Sequence, residues 1–189
     1  AALKGIPACV QEQNALPGVT NKILARFVNR IFLGYSEADK YFKGKAKKIF
    51  TGNPIRAEVM QSTRTEGIKA FGLDPEKETV LIAGGSLGAP SVNQAALQLE
   101  KNLSGRDDVQ VLHATGKNNY EDYQRQVEEL GGFKGNIHIK PYLYDMPLAL
   151  AAADIAVFRA GAIGLAELTA KGIPSILVPF PYATGNHQE

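Results

Sequence analysis

The sequence predicts an α/β protein of Rossmann-like parallel sheets flanked by helices. Three features carry that prediction. Short apolar runs recur without polar alternation, as expected of strands buried on both faces. Each run ends in a Gly-rich or polar turn. An amphipathic stretch of helical period then follows, so strand and helix alternate in the manner of a parallel sheet with crossover helices.

In the first part of the chain, Ile6–Val10 reads as a strand. A helix is expected from Asn21, with Thr20 as its N-cap. Further strands fall near Ile31–Leu33 and Lys48–Phe50. Thr51-Gly52-Asn53-Pro54 then interrupts regular structure, because Pro restricts both its own φ and its neighbour's conformation. This marks an interdomain link.

The second part repeats the unit more clearly. Thr79–Ala83 is an apolar strand, and Gly84-Gly85-Ser86-Leu87-Gly88-Ala89 is a loop. The helix after it carries Val92, Ala95, Ala96, Leu99 and Leu103 at helical spacing. Val109–Leu112 leads through His113-Ala114-Thr115-Gly116-Lys117 to a polar helix over Asn119–Leu130, and Asn136–Ile139 supplies another strand. Asp154–Phe158 precedes Arg159-Ala160-Gly161-Ala162, a helix to Ala170 and a strand at Ser175–Val178. Right-handed crossovers place these strands in one doubly wound sheet.

Composition narrows the function. The 189 residues are 44% hydrophobic and 21% charged, with a net charge of +2, which argues against a general nucleic-acid binder. The one cysteine, Cys9, excludes an internal disulfide framework and fits a reducing compartment. No apolar run is long enough to span a membrane, and no signal layout opens the chain. The missing initial Met, and an end that closely follows an apolar strand, suggest an internal fragment of a longer protein.

Charge divides unevenly along the chain. Residues 1–56 hold ten Lys/Arg against three Asp/Glu, a balance of +7, whereas residues 57–189 hold eleven against sixteen, a balance of −5. The basic part includes Lys40-Tyr41-Phe42-Lys43-Gly44-Lys45-Ala46-Lys47-Lys48. Such a face would attract anionic lipid headgroups, at roughly 1 kcal/mol per well-placed cation. A solvated basic surface is the alternative reading.

Ligands of open parallel sheets sit beyond the carboxyl ends of the strands, where helix N-termini offer unpaired N–H groups. The loops after Ala83, Phe158 and Val178 lie at that edge. Gly84–Ala89 allows close approach of an anion, and Ser86 adds a hydroxyl, so a diphosphate is a fitting guest. The loop lacks the dinucleotide fingerprint and the P-loop ending; the same residues also suit a tight strand-to-helix turn. In the second loop, Glu167 can accept two hydrogen bonds from a ribose diol, unless it is a surface helical carboxylate. Gln188 can pair with sugar hydroxyls or simply end a surface loop.

Metal and nucleophile signals are weak. His113, His138 and His187 lack a ligand spacing, and His138 alternates with Ile137 and Ile139 as on one face of a strand. No Asp-x-Asp pair occurs, so no metal and no cofactor is assigned. Helix dipoles, with Arg56 or Arg159, would then stabilise a departing diphosphate.

Four ordered blocks resemble one family. They are Gln11–Ala15 with Pro17–Asn21; Thr51–Arg56; Gly84–Ala89; and Arg159–Leu168 through Pro174–Pro179 to His187-Gln188. Together they resemble MurG, the bacterial N-acetylglucosaminyltransferases that convert lipid I to lipid II in peptidoglycan synthesis. The resemblance runs along nearly the whole chain. It departs from the family pattern at Gln11, where His is frequent, and at Leu87, where Gln is.

The resemblance implies a GT-B fold and inverting transfer of GlcNAc from UDP-GlcNAc to the 4-hydroxyl of a lipid-linked MurNAc. Residues 1–56 would be the C-terminal part of an acceptor and membrane domain, and 57–189 most of the UDP-GlcNAc-binding domain. By position, Ser86 and Ala162, Ile163, Gly164, Leu165, Ala166 and Glu167 would contact UDP, with Glu167 on the ribose and Leu143 beside the uracil. Gln188 would meet the GlcNAc hydroxyls, while Asn14 and Arg56 would reach the donor. No residue is assigned as catalytic base. The implied setting is peripheral, on the cytoplasmic face of the cell membrane, with anionic lipid and lipid I as partners and no nucleic acid. The fragment alone is expected to bind donor weakly without turnover. A UDP-GlcNAc 2-epimerase, a glycolipid glycosyltransferase or a non-catalytic UDP-sugar-binding module remain alternatives.

Overall fold

A computed structural model describes residues 4–85 and 88–180. The described chain forms two compact units. One holds the residues up to Ile55, grouped with 161–166 and Phe180, and the other holds Arg56–Ala160 and Glu167–Pro179.

The first unit is built on three parallel strands in the order β1-β2-β3, at Cys9–Glu12, Arg30–Leu33 and Lys47–Phe50. Val10, Ile31 and Leu33 point into a small core with Ala25, Ala38 and Phe42. The first strand thus lies later than the expected Ile6–Val10. Its register pairs Cys9 with Arg30 and Glu12 with Leu33, and Pro7, with no N–H to donate, falls outside the ladder.

Helix α1 (Val19–Leu24) also differs from expectation. Its N-cap is Gly18, with no side-chain cap, and Thr20 lies inside the helix. A distant group prevails over the local signal: the Glu12 carboxylate accepts the Gly18 N–H at 3.2 Å and the Asn21 side-chain amide at 2.9 Å. A 3₁₀ turn over Ser36–Tyr41, which periodicity does not announce, connects β2 to β3.

Residues 51–56 have no regular structure. Asn53 is nevertheless anchored, donating to the Gln13 carbonyl at 3.0 Å. It also packs so close to Gly34 that a Cβ there would sit 2.2 Å from its amide oxygen.

The second unit contains a five-stranded parallel sheet. Its strands are β4 (Glu78–Ala83), β5 (Val109–Ala114), β6 (Ile137–Lys140), β7 (Ile155–Arg159) and β8 (Ser175–Val178), in the order β6-β5-β4-β7-β8. The central strand faces two cores. Leu81 and Ala83 pack with Leu112, Phe158 and residues of helices α2 (Ala57–Gln61), α6 (Met146–Ala152) and α7 (Ala162–Lys171). Ile82 faces the other way, against Val92 and Ala96 of α4 (Pro90–Leu103). The apolar, non-alternating sequence of β4 follows from burial on both sides.

Two further helices complete the unit, α3 (Arg64–Phe71) and α5 (Tyr120–Glu129). Helix α3 has a full capping box between Thr63 and Glu66 and ends at Gly72 in the left-handed conformation. It meets α6 closely at Gly67, where a Cβ would lie 2.3 Å from the Leu148 carbonyl oxygen. Periodicity does not announce the short helices α2, α3 and α6.

His138 lies in β6, partly buried. Burial, aided by the Lys140 and Lys77 charges, pushes its imidazole below the ordinary value of 6.5. Above that value both folded and unfolded chains carry it neutral. On acidification the unfolded chain takes up the proton first, so stability is lost as pH falls through 6.5 and below. In urea titrations from neutral to acid pH, His138→Gln is expected to lose stability less steeply than the parent; equal slopes would remove His138 from the acid response.

Candidate functional site at the carboxyl edge of the second sheet

The parallel sheet places the ends of β4, β5 and β7 side by side, since β4 pairs with both neighbours up to Ala83. Gly84 follows β4 and is tightly enclosed: a Cβ there would lie 2.6 Å from both the Ala89 nitrogen and its Cβ. Gly88 has φ +77°, and a Cβ would fall 2.2 Å from the Thr115 carbonyl oxygen. These two glycines are required by the turn itself. Gly85 differs, with φ +94° and, among the described residues, nothing within 4 Å of a Cβ position, so none of them closes its backbone on that side. Ser86, assigned by sequence to the diphosphate, lies outside the described residues, as does Gln188.

Beyond β7, Arg159 is engaged within the protein. Its Nη1 donates to the Pro179 carbonyl at 2.7 Å and its Nη2 to the Ser91 hydroxyl at 2.8 Å, tying the β8 end and the first turn of α4 to β7. Ala162, Ile163, Gly164, Leu165 and Ala166 form the first half of α7 and are half-buried.

Glu167 is not the surface carboxylate that a polar helical position suggests. It is 6% exposed, and its Oε1 accepts from Arg56 Nη2 at 3.0 Å and Nε at 3.3 Å. Arg56 occupies the N-cap position of α2 with no side-chain cap bond there. Its guanidinium is therefore committed to Glu167 and not presented as an isolated cation. Both bonds converge on Oε1, and Oε2 receives no donor among the described residues. The arrangement is a carboxylate held in place by a cation, with one oxygen able to accept hydroxyl donors.

Leu143 is 4% exposed, with its side chain in the core of Leu112, Phe158 and Leu168. Its neighbours Tyr142 and Tyr144 stand edge to face, 4.9 Å between centroids, with the Lys117 ammonium over both rings. That ammonium is held above its ordinary range, chiefly by the hydrogen bond to Tyr144.

In the first unit, Asn14 is held by Glu12, whose Oε1 accepts its backbone N–H at 2.9 Å and its amide at 3.4 Å. Glu12 is 2% exposed and is bonded entirely by uncharged N–H groups. Sequence reasoning assigned Asn14 but gave Glu12 no role. Alternation along β1 places Glu12 on the same face as buried Val10, which is the signal that could have singled it out. Among the described residues no cluster of three or more His, Cys, Asp or Glu could hold a metal ion.

The sequence profile of the Glycosyltransferase family 28 C-terminal domain matches residues 79–189. The chain belongs to this glycosyltransferase family.

Within family 28, the chain is similar to proteins named UDP-N-acetylglucosamine--N-acetylmuramyl-(pentapeptide) pyrophosphoryl-undecaprenol N-acetylglucosamine transferase. The relative from Halothermothrix orenii is 46% identical over 194 residues, covering 100% of this chain and 52% of its own length. That from Bacillus subtilis is 46% identical over 189 residues, covering 100% and 51%. The crystal structure of Acinetobacter baumannii MurG superposes with a TM-score of 0.65 at 28% identity, over 98% of this chain and 49% of that one. The glycotransferase of kitacinnamycin, at 17% identity and a TM-score of 0.55, shares the fold. The family 28 chain described here spans about half the length of the curated relatives it matches. The Rossmann-like, GT-B class and the MurG resemblance expected from sequence agree with these matches.

Removing Arg56 would leave the Glu167 carboxylate, with an 8% exposed side chain, without its cation. Arg56→Ala is expected to reduce unfolding free energy by about 2 kcal/mol, below a fully buried pair because the guanidinium is half exposed. Arg56→Lys should recover part of the loss. Urea denaturation checks this, and an unchanged midpoint for Arg56→Ala would show that the pair contributes nothing.

Proposed function

We propose that this chain is the donor-binding part, with a portion of the acceptor side, of an inverting N-acetylglucosaminyltransferase. It transfers GlcNAc from UDP-GlcNAc to lipid I and so yields lipid II for peptidoglycan biosynthesis. The observation that carries the reading is the buried Glu167 carboxylate in the second turn of α7, oriented by Arg56, in a chain whose relatives are named for that reaction.

In this reading Glu167 accepts hydrogen bonds from the hydroxyls of the uridine ribose through Oε2, while Arg56 fixes its orientation. Backbone N–H groups of the turn beginning at Gly84 receive the diphosphate, whose charge is stabilised as UDP leaves. Residues 162–166, Leu143 and Ser86 complete the nucleotide contacts, and Gln188 serves the sugar. The acceptor hydroxyl attacks the anomeric carbon, the bond to UDP breaks, and configuration inverts. Residues 57–189 form the donor domain, and residues 1–56 belong to the acceptor and membrane side.

A peripheral position on the cytoplasmic face of the membrane has physical support from α1 and the turn that follows it. Val19, Ile23, Leu24 and Phe27 are exposed large apolar side chains, and Lys22 and Arg26 stand among them in sequence. No helix among the described residues is long and apolar enough to cross a membrane. Apolar insertion with basic flanks is the chemistry of attachment to an anionic surface.

Calorimetric titration without added metal tests the donor reading. UDP and UDP-GlcNAc are expected to bind and a nicotinamide dinucleotide is not, and Glu167→Ala should weaken UDP by about 1–3 kcal/mol. Unchanged UDP affinity in a folded Glu167→Ala protein overturns the role of Glu167. For the membrane reading, sedimentation with phosphatidylglycerol vesicles should decline when Lys22 and Arg26 are replaced by Ser and when salt is raised. Indifference to both changes would leave the surface around Lys22 and Arg26 as ordinary solvated surface.

A further inference from the structure

Beneath the carboxyl edge of the second sheet runs a chain of buried polar side chains that the proposed reaction does not use. Tyr123 of α5 donates its hydroxyl to Glu100 Oε2 at 2.7 Å, and Glu100 Oε1 lies 2.7 Å from His113 Nδ1. His113 Nε2 is 3.3 Å from Asn93 Oδ1, and Asn93 Nδ2 donates to the Thr115 carbonyl at 2.9 Å. Glu100, His113 and Thr115 are fully buried, Tyr123 is 2% exposed and Asn93 5%. The Tyr123 ring also meets the His113 ring edge to face, with centroids 5.0 Å apart.

The hydrogen-bond polarity of this chain is determined from both ends. The Thr115 carbonyl only accepts, so Asn93 must turn its amide nitrogen to it and its oxygen to His113; Nε2 therefore carries a hydrogen. At the other end, burial and the adjacent Glu100 charge hold the Tyr123 hydroxyl well above its ordinary range, so it donates. One proton must then lie between Glu100 Oε1 and His113 Nδ1, because two bare acceptors would repel at that separation.

The chain ends on the Thr115 carbonyl, which is the surface against which the Gly88 turn is packed: any Cβ at Gly88 would lie 2.2 Å from that oxygen. We infer that Asn93, His113, Glu100 and Tyr123 form a positioning device that holds the Thr115 carbonyl and, through it, the glycine turn following β4. The consequence for UDP rests on the donor-site reading above; the consequence for the turn does not.

The device predicts an ordering of variants. Asn93→Ala cuts the shorter of two side-chain bonds to the Thr115 carbonyl, leaving the donation from Asn119 Nδ2 at 3.3 Å, and should speed hydrogen exchange at the Gly88 amide, which donates to the Gly85 carbonyl at 3.0 Å, by about tenfold. Glu100→Gln keeps every bond, because its oxygen accepts from Tyr123 and its N–H supplies the proton facing His113. It should exchange like the parent, whereas Glu100→Ala should not.

Exchange measured by NMR on the folded 189-residue chain, well below its melting temperature, tests the positioning itself. Unchanged Gly88 exchange in Asn93→Ala overturns the inference. If that variant fails to fold, Asn93→Asp, which puts an acceptor against the Thr115 carbonyl, reads the same bond with the same criterion. UDP titration of the same proteins gives the second readout, with affinity expected to drop about tenfold for Asn93→Ala and to hold for Glu100→Gln. Faster exchange with no UDP binding even by the parent would preserve the positioning device and reject the donor site. Faster exchange with unchanged UDP affinity would uncouple the turn from the ligand and overturn the part of the inference that concerns UDP.

Discussion

The arrangement of the second unit depends on one strand, β4, being bonded along both edges and covered on both faces. Its partners β5 and β7 run parallel to it, so the loops that follow all three emerge at one edge. Leu81 and Ala83 fill one core and Ile82 the other, which leaves no freedom to slip the register by a residue without exchanging the two faces. The turn at Gly85 and the start of α7 are products of that constraint. Both arise where the chain leaves a buried strand and turns into a helix.

Three buried carboxylates show how charge is accommodated around this framework. Glu167 meets a guanidinium, Glu12 is surrounded by uncharged N–H donors, and Glu100 lies 2.7 Å from the His113 imidazole while accepting from a tyrosine hydroxyl. Each is an answer to the same penalty, the removal of an ionisable group from water without compensation. Among the described residues no buried side-chain nitrogen or oxygen lacks a partner. A carboxylate satisfied in this way is held rigidly. For Glu167 that rigidity suits a group that must orient a sugar hydroxyl; for Glu12 and Glu100 it orders the loops near Asn14 and Gly88.

Legibility differed sharply between the two parts of the chain. The strand at Ser175–Val178 coincides with its expected bounds, and Thr79–Ala83 and Asp154–Phe158 shift by a residue at most. Apolar runs bounded by glycine report burial locally, so their positions need no knowledge of partners. In the first part, Pro7 was absorbed into an expected strand and Thr20 into an expected cap. There the strands are four residues long and the helix six, too short for periodicity to outweigh single-residue signals. The helices α2, α3 and α6 escaped for the same reason, although the Thr63–Glu66 capping box is readable in the sequence.

Residue order along the chain was sufficient for the α/β class, the strands of the larger sheet, the glycine turn and the family resemblance, because each is written in local spacing. It was not sufficient for the state of the candidate residues. In the sequence Glu167 is either a ribose ligand or an exposed helical carboxylate; its burial shows only when Arg56, 111 residues earlier, is brought against it. His113 has no partner at any recognisable spacing; yet Glu100 follows Val92 and Ala96 at intervals of four, so the buried face of α4 carries it to the histidine. Such pairings depend on which strand lies beside which and which helix covers them. That is a property of the packed sheet, and no local pattern encodes it.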